Sequence, residues 1–228
     1  MKNSFMKVIS LVLFLGLVIS LSGCDRADRV ADDQRFPWQV KHLPGNQTQV
    51  FGIKPGVSSF EEFVNRFGTH FDDVVFEDKN HKLDLEIYFN EISIAGLSGK
   101  FILTLDADEE LKIKLIKGAF KHKLLESGVL RHDVHPHDKP LLSPLTIHAL
   151  TYIPYVDLDE KIIKSRFGEA ARVIKIAEGK VHYLFPEMGL DLFQDDDGKE
   201  VLLYVAPKNF SDLEKVLLEH YPNSSNGT

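Results

Sequence analysis

The chain has 228 residues, 43% of them hydrophobic and 27% charged, with a formal net charge of -7. That is ordinary globular composition, and the length suffices for one large core or two small ones. An acidic surface repels phosphate backbones, and no Lys/Arg run interleaved with aromatics appears, which argues against nucleic acid as a partner.

The opening, MKNSFMKVISLVLFLGLVISLSGC, has a basic start, an apolar run from Val8 to Leu21 and a small-residue end. This is the architecture of an export signal. The apolar run is 14 residues long, against the roughly 20 that a spanning helix needs, so a cleaved signal over 1–23 is expected. Leu21-Ser22-Gly23-Cys24 resembles the lipobox of bacterial lipoproteins. The resemblance implies a diacylglyceryl thioether on Cys24, cleavage before it and acylation (palmitate-type) of the new N-terminus. Cys24 is the single cysteine, so no intramolecular disulfide can form, and a free thiol in an oxidising compartment is a liability unless occupied. Several acyl chains on one residue anchor where one alone would not. Cleavage removes Lys2 and Lys7 and no acid, taking -7 to -9. Asp25 resembles the retention signal for the inner membrane, with the outer membrane as the alternative. The expected location is thus a cell membrane, facing the periplasm.

Residues 24–44 read as a lipidated tether, charged and unpatterned from Asp25 to Gln39. Phe36 and Trp38 interrupt it; they can dock on the folded part, touch lipid headgroups or meet a partner.

The remainder carries an internal repeat. QVFGIKPGVSSFEEFVNRFG (49–68) and ALTYIPYVDLDEKIIKSRFG (149–168) both lead into a short amphipathic helix ending in Arg-Phe-Gly, one hundred residues apart. Ser58 or Ser59 caps the first, with Phe60, Phe63, Val64 and Phe67 on one face. Asp157 or Asp159 caps the second, with Leu158, Ile162, Ile163 and Phe167 as its face. Strands follow at 74–76, 83–89, 99–105 and 111–116, and then at 171–177, 180–185, 190–193 and 201–205. Each series closes on a hairpin with an acidic tip, at 106–110 and 195–199. The expected fold class is therefore α+β, with two tandem units, 45–118 and 146–207, each a short helix packed on its own small antiparallel sheet. Phe67 and Phe167 are expected as equivalent core residues. Between the units, 119–145 reads as a linker: a short helix ending at Gly128, then a His/Pro-rich loop. Residues 208–228 give a C-terminal helix and a polar tail.

The helix-plus-meander unit, with Gly52, Gly56, Phe67 and Gly68 in the first copy and Phe167 and Gly168 in the second, resembles the module of the small outer-membrane-assembly lipoprotein. In tandem it resembles the beta-lactamase-inhibitor-protein fold. That likeness implies binding proteins without an active site. Pro154 and Tyr155 depart from it, standing where the first copy has Lys-Pro-Gly.

Candidate chemistry is sparse. His132, Asp133, His135, His137 and Asp138, flanked by His122 and His148, are residue types that can converge on zinc or copper. Pro136 stiffens the run, no known zinc spacing is matched, and solvated loop histidines are the simpler reading. The acidic turns lack a calcium-loop ligand series. Ser98, between Gly96 and Gly99, has no nucleophile elbow and no assignable base. No catalytic, cofactor-binding or metal residue is assigned. The expectation is a non-catalytic envelope lipoprotein that binds or scaffolds a protein partner, with a metal or small ligand at the His132–Asp138 loop as the alternative.

Overall fold

The computed structural model describes residues 34–221 and the strand Ser225–Gly227, so the signal, Cys24 and Asp25 lie outside the described residues. Helix α1, Phe60–Phe67, starts where the Ser59 hydroxyl accepts from the Glu62 amide, and Glu61 and Glu62 favour its positive end. Its counterpart α3, Glu160–Phe167, is capped in the same way by Asp159, which accepts from the Ile162 amide. Both stop at a glycine of positive φ, 101° at Gly68 and 87° at Gly168, a region costly for side chains.

The strands after α1 are β3 (Asp72–Glu77), β4 (Leu83–Ile94) and β5 (Leu97–Leu105). After α3 come β9 (Arg172–Ala177), β10 (Lys180–Phe185), β11 (Leu190–Asp195) and β12 (Val201–Val205). Between them lie β6 (Lys121–Leu124), β7 (Leu130–Asp133) and β8 (Ile147–Pro154), and a small hairpin, β1 (Lys41–Leu43) with β2 (Gln47–Gln49), precedes α1. Helix α2 is Glu109–Gly118, α4 is Phe210–His220, and the last strand β13 is Ser225–Gly227.

Two separate small sheets were the expectation, and the fold overturns it. The strands form one continuous sheet in the order β13-β9-β10-β11-β12-β8-β5-β4-β3-β7-β6. All its pairings are antiparallel, and β5 and β8 join the halves from Gly99↔Pro154 to Leu105↔Ile147. The physical reason is edge satisfaction. Each meander would otherwise leave its inner strand unpaired, exposing backbone donors and acceptors over apolar side chains. Phe101 and Tyr152, partners across the seam, are both buried, with ring centroids 4.9 Å apart. Phe51 closes over both, its ring 5.1 Å from Phe101 and 5.2 Å from Tyr152, although its own φ is +52°.

Two local expectations also fail. Residues 111–116 are not a strand: Asp108 caps α2 by accepting from the Leu111 amide, and Leu115 is fully buried. Residues 119–128 are not a helix: β6 and β7 make a hairpin whose turn uses Gly128 at φ 82°. The loop after β7 is largely a 3-10 helix, Pro136–Leu141.

Strict alternation gives the sheet two distinct faces. The near face carries Leu85, Ile87, Phe89, Phe101, Leu103, Leu150, Tyr152, Leu192 and Tyr204, and α1, α2 and α3 contribute to the same core through Phe63, Leu115, Ile163 and Phe167. Phe167 is 4% exposed, whereas Phe67 is half-buried; the two are related in position and unequal in burial. Both halves therefore share one core.

On the far face α4 covers the second half only. Phe210 and Leu217 pack with Ile174, Leu184, Ala149 and Val205.

Candidate functional site

Among the described residues no helix lies over the far face of the first half. Phe76, Glu86, Tyr88, Ile102, Thr104 and Thr151 present side chains there, each partly exposed, and register aligns them across neighbouring strands (Tyr88↔Ile102↔Thr151, Glu86↔Thr104). Along one side α4 forms a wall. The groove between them, ≈ 530 Å³, is lined by Thr104, His148, Leu203, Asp212 and Val216 among others. Val216 is 63% exposed, its side chain left without apolar cover.

One polar pair is set into this face. The Tyr88 hydroxyl donates to Glu86 Oε2, and the Tyr88 ring lies edge-on to Phe76 at 6.3 Å. Burial raises the Glu86 carboxyl above its ordinary range, against the lowering effect of that hydrogen bond. Burial, with the adjacent carboxylate, likewise raises the Tyr88 hydroxyl, which keeps its proton and its donor role. The same face carries Asp84, Lys100 and the Arg131–Asp133 pair, so Phe76, Tyr88 and Ile102 sit among charged side chains, a mixed composition of the kind found in protein–protein contacts.

The predicted histidines separate into two places. His132 lies on β7, 5% exposed, with Nδ1 2.7 Å from His122 Nδ1 and Nε2 3.4 Å from Glu77 Oε2. Glu77 also meets His81, and that hydrogen bond is the main reason its carboxyl sits below the usual range. His135 caps the 3-10 helix and His137 lies in its first turn, their rings 4.1 Å apart and tilted by 47°. The His135 ring accepts from the His137 amide as a cap, and His137 Nε2 is 3.2 Å from Asp138. Asp133 pairs with Arg131. His148, on β8, pairs with Asp106 at 3.2 Å. Among the described residues no group of three or more His, Cys, Asp or Glu is arranged to hold a metal ion. The three loop histidines are thus not a joint ligand set in this structure.

Two further buried polar arrangements escaped the sequence reading. His182 Nδ1 lies 2.9 Å from Asp191 Oδ1 beneath α4, its ring against Phe193 and Tyr221. Asp73, 5% exposed, is held by Lys139 at 2.8 Å, and burial raises its carboxyl despite that partner. Neither has a serine, cysteine or threonine bonded to it among the described residues. Ser98, the glycine-flanked serine, offers its carbonyl to the Tyr152 hydroxyl and the Tyr155 amide. The acidic turn at 195–199 is a local hairpin tip in which Asp195 binds Lys180 and the Asp197 amide. At 106–110 the acids serve instead to cap and start α2.

Phe36 and Trp38 dock on the body. They stack at 5.0 Å, and Trp38 meets Phe167 edge-on at 6.3 Å, with the Arg166 guanidinium 5.0 Å from its ring. No protein family, curated protein or solved structure matches the chain.

Proposed function

We propose that the chain is a lipid-anchored envelope protein of the periplasmic side that acts by binding or scaffolding another protein, without catalysis of its own. The observation that carries this reading is the asymmetry of the far face: α4 covers most of the second half, and the first half leaves Phe76, Tyr88 and Ile102, with Thr151 just across the seam, partly open beside a groove. Half-exposed aromatic and aliphatic side chains set among charges on a hydrogen-bonded sheet make a docking platform that needs little ordering on contact. The export signal and Leu21-Ser22-Gly23-Cys24 support the membrane anchor, and Asp25 supports the inner membrane.

A photo-crosslinking residue at Ile102, compared with one at Lys161 on the exposed side of α3, tests the face in intact cells. The expected result is a discrete crosslinked species from position 102, absent at 161 and abolished by Thr151→Arg in a protein that melts normally. Equal crosslinking from both positions would refute it. Cys24→Ser tests the anchor separately: the variant loses lipid and cleavage, and a variant that mass spectrometry shows still cleaved before residue 24 and still acylated would sink that part. Fractionation tests Asp25, with recovery mainly in the outer membrane as the opposing result.

A further inference from the structure

Eight large hydrophobic side chains are exposed among the described residues, and three, Ile113 (41%), Phe120 (61%) and Leu124 (65%), belong to the corner where α2 runs into β6. The same corner, residues 111–125 (LKIKLIKGAFKHKLL), holds five lysines and no acid of its own, in a chain whose acids outnumber Lys and Arg 34 to 27; Asp108 and Glu110 border it on α2, and Asp133 stands opposite Lys121. Lys112 is engaged, donating to the Leu83 carbonyl at 2.8 Å. Lys114, Lys117, Lys121 and Lys123 are exposed and enter none of the ion pairs or side-chain hydrogen bonds of the described residues. On α2, Ile113, Lys114 and Lys117 share the face turned away from buried Leu115.

Lysines on an edge strand have a structural explanation, since they deter a second sheet from adding there. It accounts for Lys121 and Lys123. It does not account for Phe120 and Leu124 left in water beside them, nor for the helix residues. Register puts Lys121 and Lys123 on the far side of this edge strand, opposite Asp133 and Arg131, and Leu124 on the near side, so cations and apolar groups flank one rim. A rim of cations and exposed apolar side chains fits a surface that is both anionic and apolar beneath: the headgroup layer of a bilayer.

We propose that the α2–β6 corner is a second membrane contact, docking on an anionic bilayer with its lysines at the phosphates and Phe120 and Leu124 in the interface. The proposal builds on the lipid-anchored reading, and the two are within reach of each other. Ten residues separate Cys24 from Gln34, spanning at most roughly 35 Å. The N-terminal segment is fastened at β12, where Tyr204 binds the Pro37 carbonyl. Six strand spacings separate β12 from β6, about 29 Å. An anchor and this corner can therefore engage one plane, fixing the orientation of the sheet above it.

The test uses the chain from residue 24 with Cys24→Ser, so that no acyl chain contributes, and co-sedimentation with vesicles. Retention is expected on phosphatidylcholine vesicles containing phosphatidylglycerol, with little on phosphatidylcholine alone, and it should fall as salt is raised. Lys117→Gln, Lys121→Gln and Lys123→Gln should each lower the partition about fivefold, and Phe120→Ser with Leu124→Ser should lower it further, all with unchanged melting. No binding to the anionic vesicles, equal binding to both vesicle types, or variants that bind like the parent would overturn the proposal. So would tighter capture by polyglutamate than by vesicles, which would mark an acidic protein as the occupant. Lipid on Cys24, read by mass in the wild-type chain, reports on the anchor independently.

Discussion

Gly189 approaches Val205 so closely that a methyl group built on it would lie 2.1 Å from the Val205 carbonyl oxygen. Gly189 also sits at φ 67°, and its own carbonyl accepts from the Val205 amide at 2.8 Å. The 3-10 turn Pro186–Met188 is thereby clamped to the end of β12.

Gly189→Ala should therefore destabilise the protein by about 3 kcal/mol, combining left-handed strain of ~1–2 kcal/mol with a displaced backbone. Gly96→Ala is the control: its φ is also positive, 82°, but open space surrounds the new methyl, so about 1–2 kcal/mol is expected. Chemical denaturation of both variants measures the difference. Equal losses would mean that the Val205 contact relaxes freely.

Sheet continuity predicts that the halves are not separable. A fragment of residues 34–145 would expose the β5 edge along Gly99–Leu105, with Phe101 and Leu103 uncovered, and should aggregate or stay unfolded. A monomeric fragment with a cooperative melt would contradict this.

Burial raises the Glu86 carboxyl, so the folded state binds its proton more readily than the unfolded chain. The ionised group then costs stability at neutral pH. That cost fades as pH falls from the raised value toward the unfolded value of ~4.3. Glu86→Gln should exceed the wild type in melting temperature most at pH 7–8, with the gap narrowing toward pH 4. A gap that widens on acidification would reverse the assigned sign.

His122 and His132 face each other Nδ1 to Nδ1 at 2.7 Å, so one nitrogen must donate and the other accept. The Glu77 carboxylate, 3.4 Å from His132 Nε2, favours a proton on that atom. His132 should accordingly be the Nε2–H tautomer and His122 the Nδ1–H tautomer. Nitrogen-15 NMR of the neutral rings distinguishes them, and a proton on His132 Nδ1 would refute the assignment.

The two capped helices and their glycine exits were legible in the sequence because caps, apolar spacing and a stop residue coincide within ten positions. Most strands were legible for the same local reason. LKIKL at 111–115 alternates like a strand, yet Asp108 and the i,i+4 pair Leu111/Leu115 make it a helix once β4 supplies a surface to pack on. The β5–β8 seam had no signature, since alternation tells which face of a strand is buried and not which edge will pair. The open face was hidden for a related reason: Ile102 and Thr151 are half-exposed only because α4 lies elsewhere. The basic corner was split between a presumed strand and a presumed helix, which concealed that its lysines share one end of the molecule.

The N-terminal segment precedes the first half in the chain but is fastened to the second, through Pro37 at Tyr204 and Trp38 at Phe167. A pull on the N-terminus thus enters the molecule at β12 and the end of α3. It loads the second half directly, and it reaches the first half through the seam, through Phe51 seated on Phe101 and Tyr152, and along the chain through β1 and β2 into α1. Such a load is met first where Pro37 and Trp38 are seated, ahead of α1 and β3–β5.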